Sequence, residues 1–458
     1  MNRLVIIGGS DAGISAALRA REIDTKIDIT VIVADQYPNF SICGLPFYIS
    51  GEVQDWHTLA HRTLEELRKE GINILLEHYA ESLDSQNKIV TVRDSTGKKL
   101  SIEYDKLILA TGAISSRPKI KGIDLSGVFL LRWMNDGFTI RRYLDEKKPA
   151  SAIVIGGGYI GMEMADAFSF RGMNVSVIEY ADTVLTTLDP ELGRRVEETL
   201  KHHGVNVITK TPVNAIEQDG SRLRVLGESG FHADAEMVLV AAGARPNVGL
   251  AASAGVNIGN FGAICINSKM ETNEADIYAA GDCVETWHQM LGKYVYMPLG
   301  SAAHKQGRVA GENAAGGNRE YQGSLGTQVV KIFDLVAART GLRDSEAKAA
   351  GFDPLTLGFE GWDHRAYYPG ARKLDIRITG DRLTQRLLGI QIVGEYRSEI
   401  SKRVDIISTA IFNGMKMNEI SDLDLSYTPP LSSPWDPIQA ATTTWIKRYS
   451  EDLKRNQK

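Results

Sequence analysis

Cys43 is the residue of this chain best suited to redox chemistry, and its isolation decides which kind. It lies in Asn39-Phe40-Ser41-Ile42-Cys43-Gly44-Leu45-Pro46-Phe47-Tyr48, with no second cysteine placed to close a CxxC or CxxxxC pair. A lone thiol of this sort works through a sulfenate, a persulfide or a mixed disulfide with a small thiol, and a local dithiol centre is ruled out. The residues after it can begin a helix. That would set the sulfur at a positive helix end and favour the thiolate, the form that attacks sulfur or peroxide. The other two cysteines, Cys265 and Cys283, read as inert packing residues. No cluster has the spacing of a zinc, haem or iron–sulfur site, so no metal is expected.

The elements that must position Cys43 are announced by glycines. The apolar run Leu4–Ile7 reads as a buried parallel strand. It breaks at Gly8-Gly9-Ser10-Asp11-Ala12-Gly13, continues as a helical stretch to about Arg21, and is followed by a second apolar run, Ile27–Val33, ending near Asp35. In this dinucleotide fingerprint the glycines allow a tight turn, amides at the helix start hold a pyrophosphate, and the acid accepts a bond from a ribose hydroxyl. Ser10 stands at the second glycine position, which weakens this copy. The second copy is cleaner: Ile153-Val154-Ile155, then Gly156-Gly157-Gly158-Tyr159-Ile160-Gly161, a helix, and Val175–Ile178 ending at Glu179. A carboxylate there favours a free 2′-hydroxyl over a 2′-phosphate, so NADH is expected, with NADPH the alternative. Each copy is followed by a strand and a glycine turn, Leu107–Leu109 with Ala110-Thr111-Gly112, and Val238–Val240 with Gly243. A third short strand ends in Gly281-Asp282. The duplication implies two nucleotide-binding domains of common design.

The 458 residues are enough for two or three domains, and 43% hydrophobic and 24% charged residues are those of an ordinary soluble protein. A net charge of −5 offers nothing to nucleic acid or to an anionic membrane. Three cysteines are too few for a secreted disulfide framework, no apolar run is long enough to span a bilayer, and the first strand begins too early for a signal peptide. A cytoplasmic location is expected.

Taken together, the two glycine motifs, Ala110-Thr111-Gly112, Gly281-Asp282 and Cys43-Gly44-Leu45-Pro46 resemble the FAD-dependent pyridine nucleotide–disulfide oxidoreductases. The resemblance is to the single-cysteine branch, which holds coenzyme A-disulfide reductases, NADH oxidases, NADH peroxidases and persulfide reductases. It runs on through Gly326-Thr327, Lys331-Ile332-Phe333-Asp334 and Thr340-Gly341-Leu342, similar to the opening of that family's dimerisation domain. The resemblance implies an α/β fold: two Rossmann-like dinucleotide-binding domains, for FAD and NAD, and a C-terminal α+β dimerisation domain. The implied boundaries are 1–115 and 244–324 for FAD, 116–243 for NAD(H), and 325–458 for the dimer interface. It places Asp35 on the adenosine ribose of FAD, Asp282 on the ribityl chain, and Tyr159 as an aromatic gate where nicotinamide stacks. It also implies a homodimer with shared active sites, in which Tyr367 and Tyr427 (with Tyr368 an alternative to the first) reach the cysteine of the other subunit and protonate a departing thiolate.

The resemblance implies a cycle in which NADH reduces FAD, FAD reduces an oxidised Cys43, and the thiolate attacks a small-molecule disulfide or persulfide. The alternatives are an NADH oxidase or peroxidase that takes oxygen or peroxide through a Cys43 sulfenate, and a flavoprotein electron carrier or redox sensor. Two departures bear on the choice. Oxidases and peroxidases of the branch carry a histidine where this chain has Asp11, and an ionised aspartate would repel a neighbouring thiolate. Ile42 replaces the asparagine usual before the cysteine in coenzyme A-disulfide reductases, and Glu22 puts a carboxylate at the mouth where coenzyme A phosphates would enter, with Arg19, Arg21 and Arg62 as compensating cations.

Overall fold

The structure, a computed structural model, describes residues 2–456. Its first sheet is wholly parallel, with strands in the spatial order Ile277–Ala279, Lys106–Leu109, Arg3–Ile7, Asp28–Ile32 and Ile72–Leu75. Leu4, Val5 and Ile6 are buried on both faces of the sheet, which is why they read as an unbroken apolar run rather than an alternating one. The helix Asp11–Ile23 covers one face and packs against the helix Gly300–Ala314. That second contact is close, because a Cβ at Gly307 or Gly311 would come within 2.2 Å of the Ala12 carbonyl oxygen or 2.1 Å of that of Ala16.

The second sheet repeats the design. Its strands run Asn206–Ile208, Asn174–Ile178, Ser151–Ile155, Met237–Val240 and Val128–Phe129, again all parallel. Each unit also carries a three-stranded antiparallel sheet, Tyr79–Asp84 to Lys99–Glu103 inserted before the fourth strand of the first in chain order and Val213–Asp219 to His232–Ala235 before the fifth strand of the second. The chain crosses between the units twice, and the two crossings, Ala113–Ser115 and Ala244–Pro246, pair antiparallel.

The C-terminal part is a five-stranded antiparallel sheet in the order Gln328–Ile332, Leu335–Gly341, Leu387–Glu395, Lys373–Asp381 and Pro354–Trp362. The helices Ile400–Phe412 and Pro437–Asn456 pack on it. Trp445 is fully buried there, and its indole N–H donates to the Leu355 carbonyl at 2.8 Å. The fold is therefore the expected α/β pair of nucleotide-binding units followed by an α+β domain. No described helix is long and apolar enough to cross a membrane.

Candidate active site

Cys43 occupies a single 3₁₀ turn, Ile42–Gly44, leading directly into the six-residue helix Leu45–Ser50. Gly44 is required there, since a side chain at that position would meet Leu59 Cδ2 at 2.5 Å. Leu45 and Ile49 are fully buried and pack into the core of the second nucleotide unit, against the helix Tyr159–Phe170. The far end of the short helix is held by cations: Arg141 Nη1 donates to the Tyr48 carbonyl at 2.6 Å and Arg171 Nη1 to that of Ile49 at 3.1 Å. Gly51 closes it, donating its N–H to the carbonyls of Phe47 and Tyr48. The cysteine of the first unit is thus gripped by the second.

The electrostatics around the sulfur differ from the expectation drawn from a helix start. The residue is open to the cleft, yet protein surrounds its sulfur, and this partial desolvation raises the thiol pKa above its ordinary value. The carboxylates of Glu163, Asp11 and Asp282 push it further up, and only Arg132 opposes them. A six-residue helix contributes little dipole against three nearby acids, so the prediction of an intrinsically favoured thiolate is corrected. The repulsion expected from Asp11 is present. Asp11 itself is raised by burial, although His304 and His61 pull its carboxyl the other way.

Glu163 and Arg132 were not among the residues expected at the site. Glu163 stands one helical turn beyond Tyr159 on the same helix, and burial with the neighbouring Asp166 charge pushes its carboxyl up to about 7. Its signal was visible: a carboxylate between the buried Met162 and Met164 breaks an apolar stretch. Arg132 left no such mark. It comes from the loop between the strand Val128–Phe129 and the helix Met134–Lys147 and pairs with Asp282, while its Nε donates to the Ala113 carbonyl at 3.3 Å. Tyr159 opens its helix half-buried, its hydroxyl 3.3 Å from Thr187 Oγ1. Cys283 is buried and Cys265 partly so, as expected of packing residues.

Both glycine turns are shaped for dinucleotides. Gly8 and Gly156 take φ of +118° and +114°, and a Cβ at Gly13 or Gly161 would lie 1.9 Å from the carbonyl oxygen of Gly8 or Gly156. Gly158 differs: a Cβ there meets no protein atom within 4 Å, so the demand for glycine comes from what approaches from outside. Ser10, Ala12, Ala110, Thr111 and Gly112 surround the first turn, with Gly281 packed on Ala12. Asn39 sits beside it, its N–H on the Gly9 carbonyl, and its buried side-chain Nδ2 has no partner in the chain. Asp35 lines an open cavity with Tyr37, Glu77 and Asn135; one oxygen accepts from the Tyr37 N–H at 2.9 Å, and burial raises its pKa. An orphaned donor beside the turn and an acid in a cavity at the strand end fit a bound dinucleotide. In the second unit Glu179 bridges the Gly157 N–H at 2.5 Å and the Ala181 N–H at 2.7 Å, fixed at the end of its strand. Gly243, with φ of +95°, immediately precedes the corresponding crossing Ala244–Pro246.

Tyr367 and Tyr427 stand on the C-terminal domain, 69% and 45% exposed. Their loops touch each other through the Arg365 N–H and the Pro429 carbonyl, and the Arg365 guanidinium lies over the Tyr367 ring. A buried network holds this surface: Arg403 binds Asp436 and donates to the Asp363 carbonyl at 2.6 Å, while Asp363 Oδ1 accepts from the N–H groups of His364 and Arg372 at the two ends of the loop. Glu22, near the C-terminal end of the helix Asp11–Ile23, is not an unopposed charge. Arg19 and Arg308 pair with it and hold its carboxyl below the usual range. Arg21 is spent on the backbone carbonyls of Glu70, Thr25 and Gly71, and Arg62 is exposed.

Comparison with known proteins agrees with this geometry. Residues 2–307 match the model of the pyridine nucleotide-disulphide oxidoreductases, and residues 327–437 match that of their dimerisation domain. The chain is 37% identical over 437 residues to an NAD(P)H coenzyme A polysulfide/persulfide reductase of Pyrococcus horikoshii, covering 95% of this chain and 96% of that protein. It is 35% identical over 451 residues to an NADH oxidase of Methanocaldococcus jannaschii, covering 98% and 99%. The crystal structure of reduced Bacillus anthracis CoADR-RHD superposes with a TM-score of 0.95 at 32% identity, over 98% of this chain and 81% of that one.

Proposed function

The chain belongs to the pyridine nucleotide-disulphide oxidoreductase family, and from that premise we propose that it uses NADH to reduce the sulfur–sulfur bond of a small-molecule disulfide or persulfide at Cys43. It is an FAD-dependent NAD(P)H oxidoreductase. The observation that carries the proposal is the lone Cys43, open to the cleft and clamped against the helix of the second unit that bears Tyr159 and Glu163.

FAD fits the first unit: the Gly8–Gly13 turn and Asn39 would hold its pyrophosphate, Asp35 its adenosine ribose, and Asp282 with Arg132 the chain leading to the ring. The chemistry FAD supplies when bound is relay of an electron pair from the nicotinamide to the cysteine sulfur. NADH would lie along Gly156–Gly161, with Glu179 on its ribose and Tyr159 closing over the nicotinamide pocket. Domain limits of 1–115 with 244–324, 116–243 and 325–458 follow from these assignments.

At the sulfur, the Cys43 thiolate attacks one sulfur of the substrate. A Cys43–substrate disulfide forms, the original S–S bond breaks, and the second sulfur departs as a thiolate that takes a proton. Tyr367 and Tyr427 supply that proton from a second copy of the chain, which accounts for two exposed tyrosines on touching, braced loops. The electron pair from NADH then breaks the mixed disulfide. The net reaction consumes NADH, one proton and one disulfide and yields NAD⁺ and two thiols, or a thiol and sulfide from a persulfide. Pairing of Glu22 with Arg19 and Arg308 removes the charge objection to a coenzyme A substrate at the mouth.

The test is anaerobic NADH oxidation with coenzyme A disulfide, a persulfide or polysulfide. Cys43→Ser should abolish turnover while leaving reduction of the flavin by NADH intact; full turnover in that variant would refute the mechanism. The second reading, an oxidase working through a Cys43 sulfenate, rests on the similarity to the Methanocaldococcus jannaschii NADH oxidase. Oxygen consumption at equal flavin that exceeds disulfide turnover would select it.

A further inference from the structure

Asp11, His61 and His304 converge beside the Cys43 cleft from three separate segments, and we propose that they form a binding site for one divalent transition-metal ion, with Zn²⁺ the best fit. Their ligand atoms all lie within 4.8 Å of one another, and His304 Nε2 is 3.4 Å from Asp11 Oδ1. Donors on a tetrahedral ion with bonds of about 2.1 Å stand about 3.4 Å apart, so this pair is already at ligand spacing. Two imidazoles and a carboxylate suit zinc, and they leave a fourth position for water.

The surroundings prepare the set. Asp11 opens the helix Asp11–Ile23 and Ser15 follows one turn later on the same face. His304 faces both from the helix Gly300–Ala314, whose close packing through Gly307 and Gly311 fixes the spacing. Ser15 Oγ lies 2.9 Å from His304 Nδ1. With Nδ1–H donating to that hydroxyl, the Nε2 lone pair points at Asp11, the arrangement in which an outer hydrogen bond orients a metal-bound histidine. Asp11 Oδ1 is buried and has no hydrogen-bond partner. His61 is exposed, so its ring can close the remaining gap, and its backbone N–H donates to the Asn39 carbonyl at 2.9 Å, tying it to the segment that leads to Cys43. A cation here would also neutralise an acid that stands in the turn where a dinucleotide pyrophosphate is expected.

The test uses tag-free, FAD-loaded protein carrying Cys43→Ser, which removes the competing thiol, stripped with chelator and titrated with Zn²⁺ in a calorimeter. One Zn²⁺ per chain is expected. His304→Ala and His61→Ala should each weaken binding by about tenfold or more, and Ser15→Ala by about tenfold to a hundredfold. Retained flavin absorbance checks that each variant is folded, and His304→Gln replaces any alanine variant that loses flavin. Failure to bind Zn²⁺ below millimolar concentration, or binding of unchanged affinity in both histidine variants, would overturn the proposal. Neither result bears on disulfide turnover, so the site and the proposed function stand or fall separately.

Discussion

Replacing Glu163 by Gln should stabilise the protein, and by an amount that grows with pH. The carboxyl is pushed from 4.5 to about 7, chiefly by burial and secondly by the charge of Asp166, with Lys331 opposing. Asp166 cannot move away, because Lys331 Nζ at 3.1 Å and the Phe333 N–H at 2.9 Å hold it. A carboxyl whose folded pKa exceeds its unfolded value binds its proton more tightly when folded. The folded state therefore has its full advantage below pH 4.5 and loses it as pH rises through 7. The cost of the charge is under about 1 kcal/mol at pH 5, about 2 at pH 6 and about 3 at pH 8. Gln keeps the shape and cannot ionise. Urea unfolding of the FAD-loaded protein at fixed concentration should show the variant gaining about 2 kcal/mol more over wild type at pH 8 than at pH 5. A difference between the two proteins that stays constant from pH 5 to pH 8 would refute the reasoning. Removing a carboxylate that acts on the sulfur should also make Cys43 alkylate faster near pH 8.

Three further substitutions separate fold from function. Gly158→Ala should fold like wild type, since the new methyl meets no protein atom, but raise the KM for NADH; Gly161→Ala, driven to 1.9 Å from the Gly156 oxygen, should lose both stability and NADH binding in a melting and kinetic comparison. Arg403→Ala leaves Asp436 buried without its cation, which should cost about 3–5 kcal/mol of unfolding free energy. Where the Arg403 variant remains folded, slackening of the Asp363–Arg372 loop should depress disulfide turnover more than NADH-driven reduction of an artificial electron acceptor.

The parts of the fold legible in the sequence were those where backbone geometry dictates residue type. Glycines at 8, 13, 156 and 161 are each demanded by a close backbone carbonyl oxygen, those of Ala110, Gly8, Ala241 and Gly156 in turn, so the turns announced themselves together with the strands before them. Expected runs such as Ile27–Val33 were a residue longer at each end than the strand Asp28–Ile32, because apolar burial continues past the last ladder bond. The long antiparallel strands of the C-terminal domain carried no comparable signature and were reached only through resemblance. Around Cys43 the reading failed in sign, since a helix start is a local feature whereas Glu163, Asp282 and Arg132 arrive from distant segments. Asp11 was noticed as a departure, but its partners His61 and His304 lie 50 and 293 residues away, and no spacing rule links them.

The placement of Cys43 between units explains why its reactivity could not be read locally. Its turn is covalently part of the first unit, yet Leu45 and Ile49 belong to the core of the second. The helix against which they pack presents Tyr159 and Glu163 one turn apart. The N-terminal half of that helix and the turn that carries the sulfur therefore share one packed contact. The same helix brings a carboxyl that titrates near 7 into the field of a thiol it disfavours as thiolate. Ionisation of the two groups is consequently anticorrelated: a proton taken up by Glu163 makes the Cys43 thiolate easier to form, and one released makes it harder. One helix thus links the proton occupancy of Glu163 to the nucleophilicity of the sulfur.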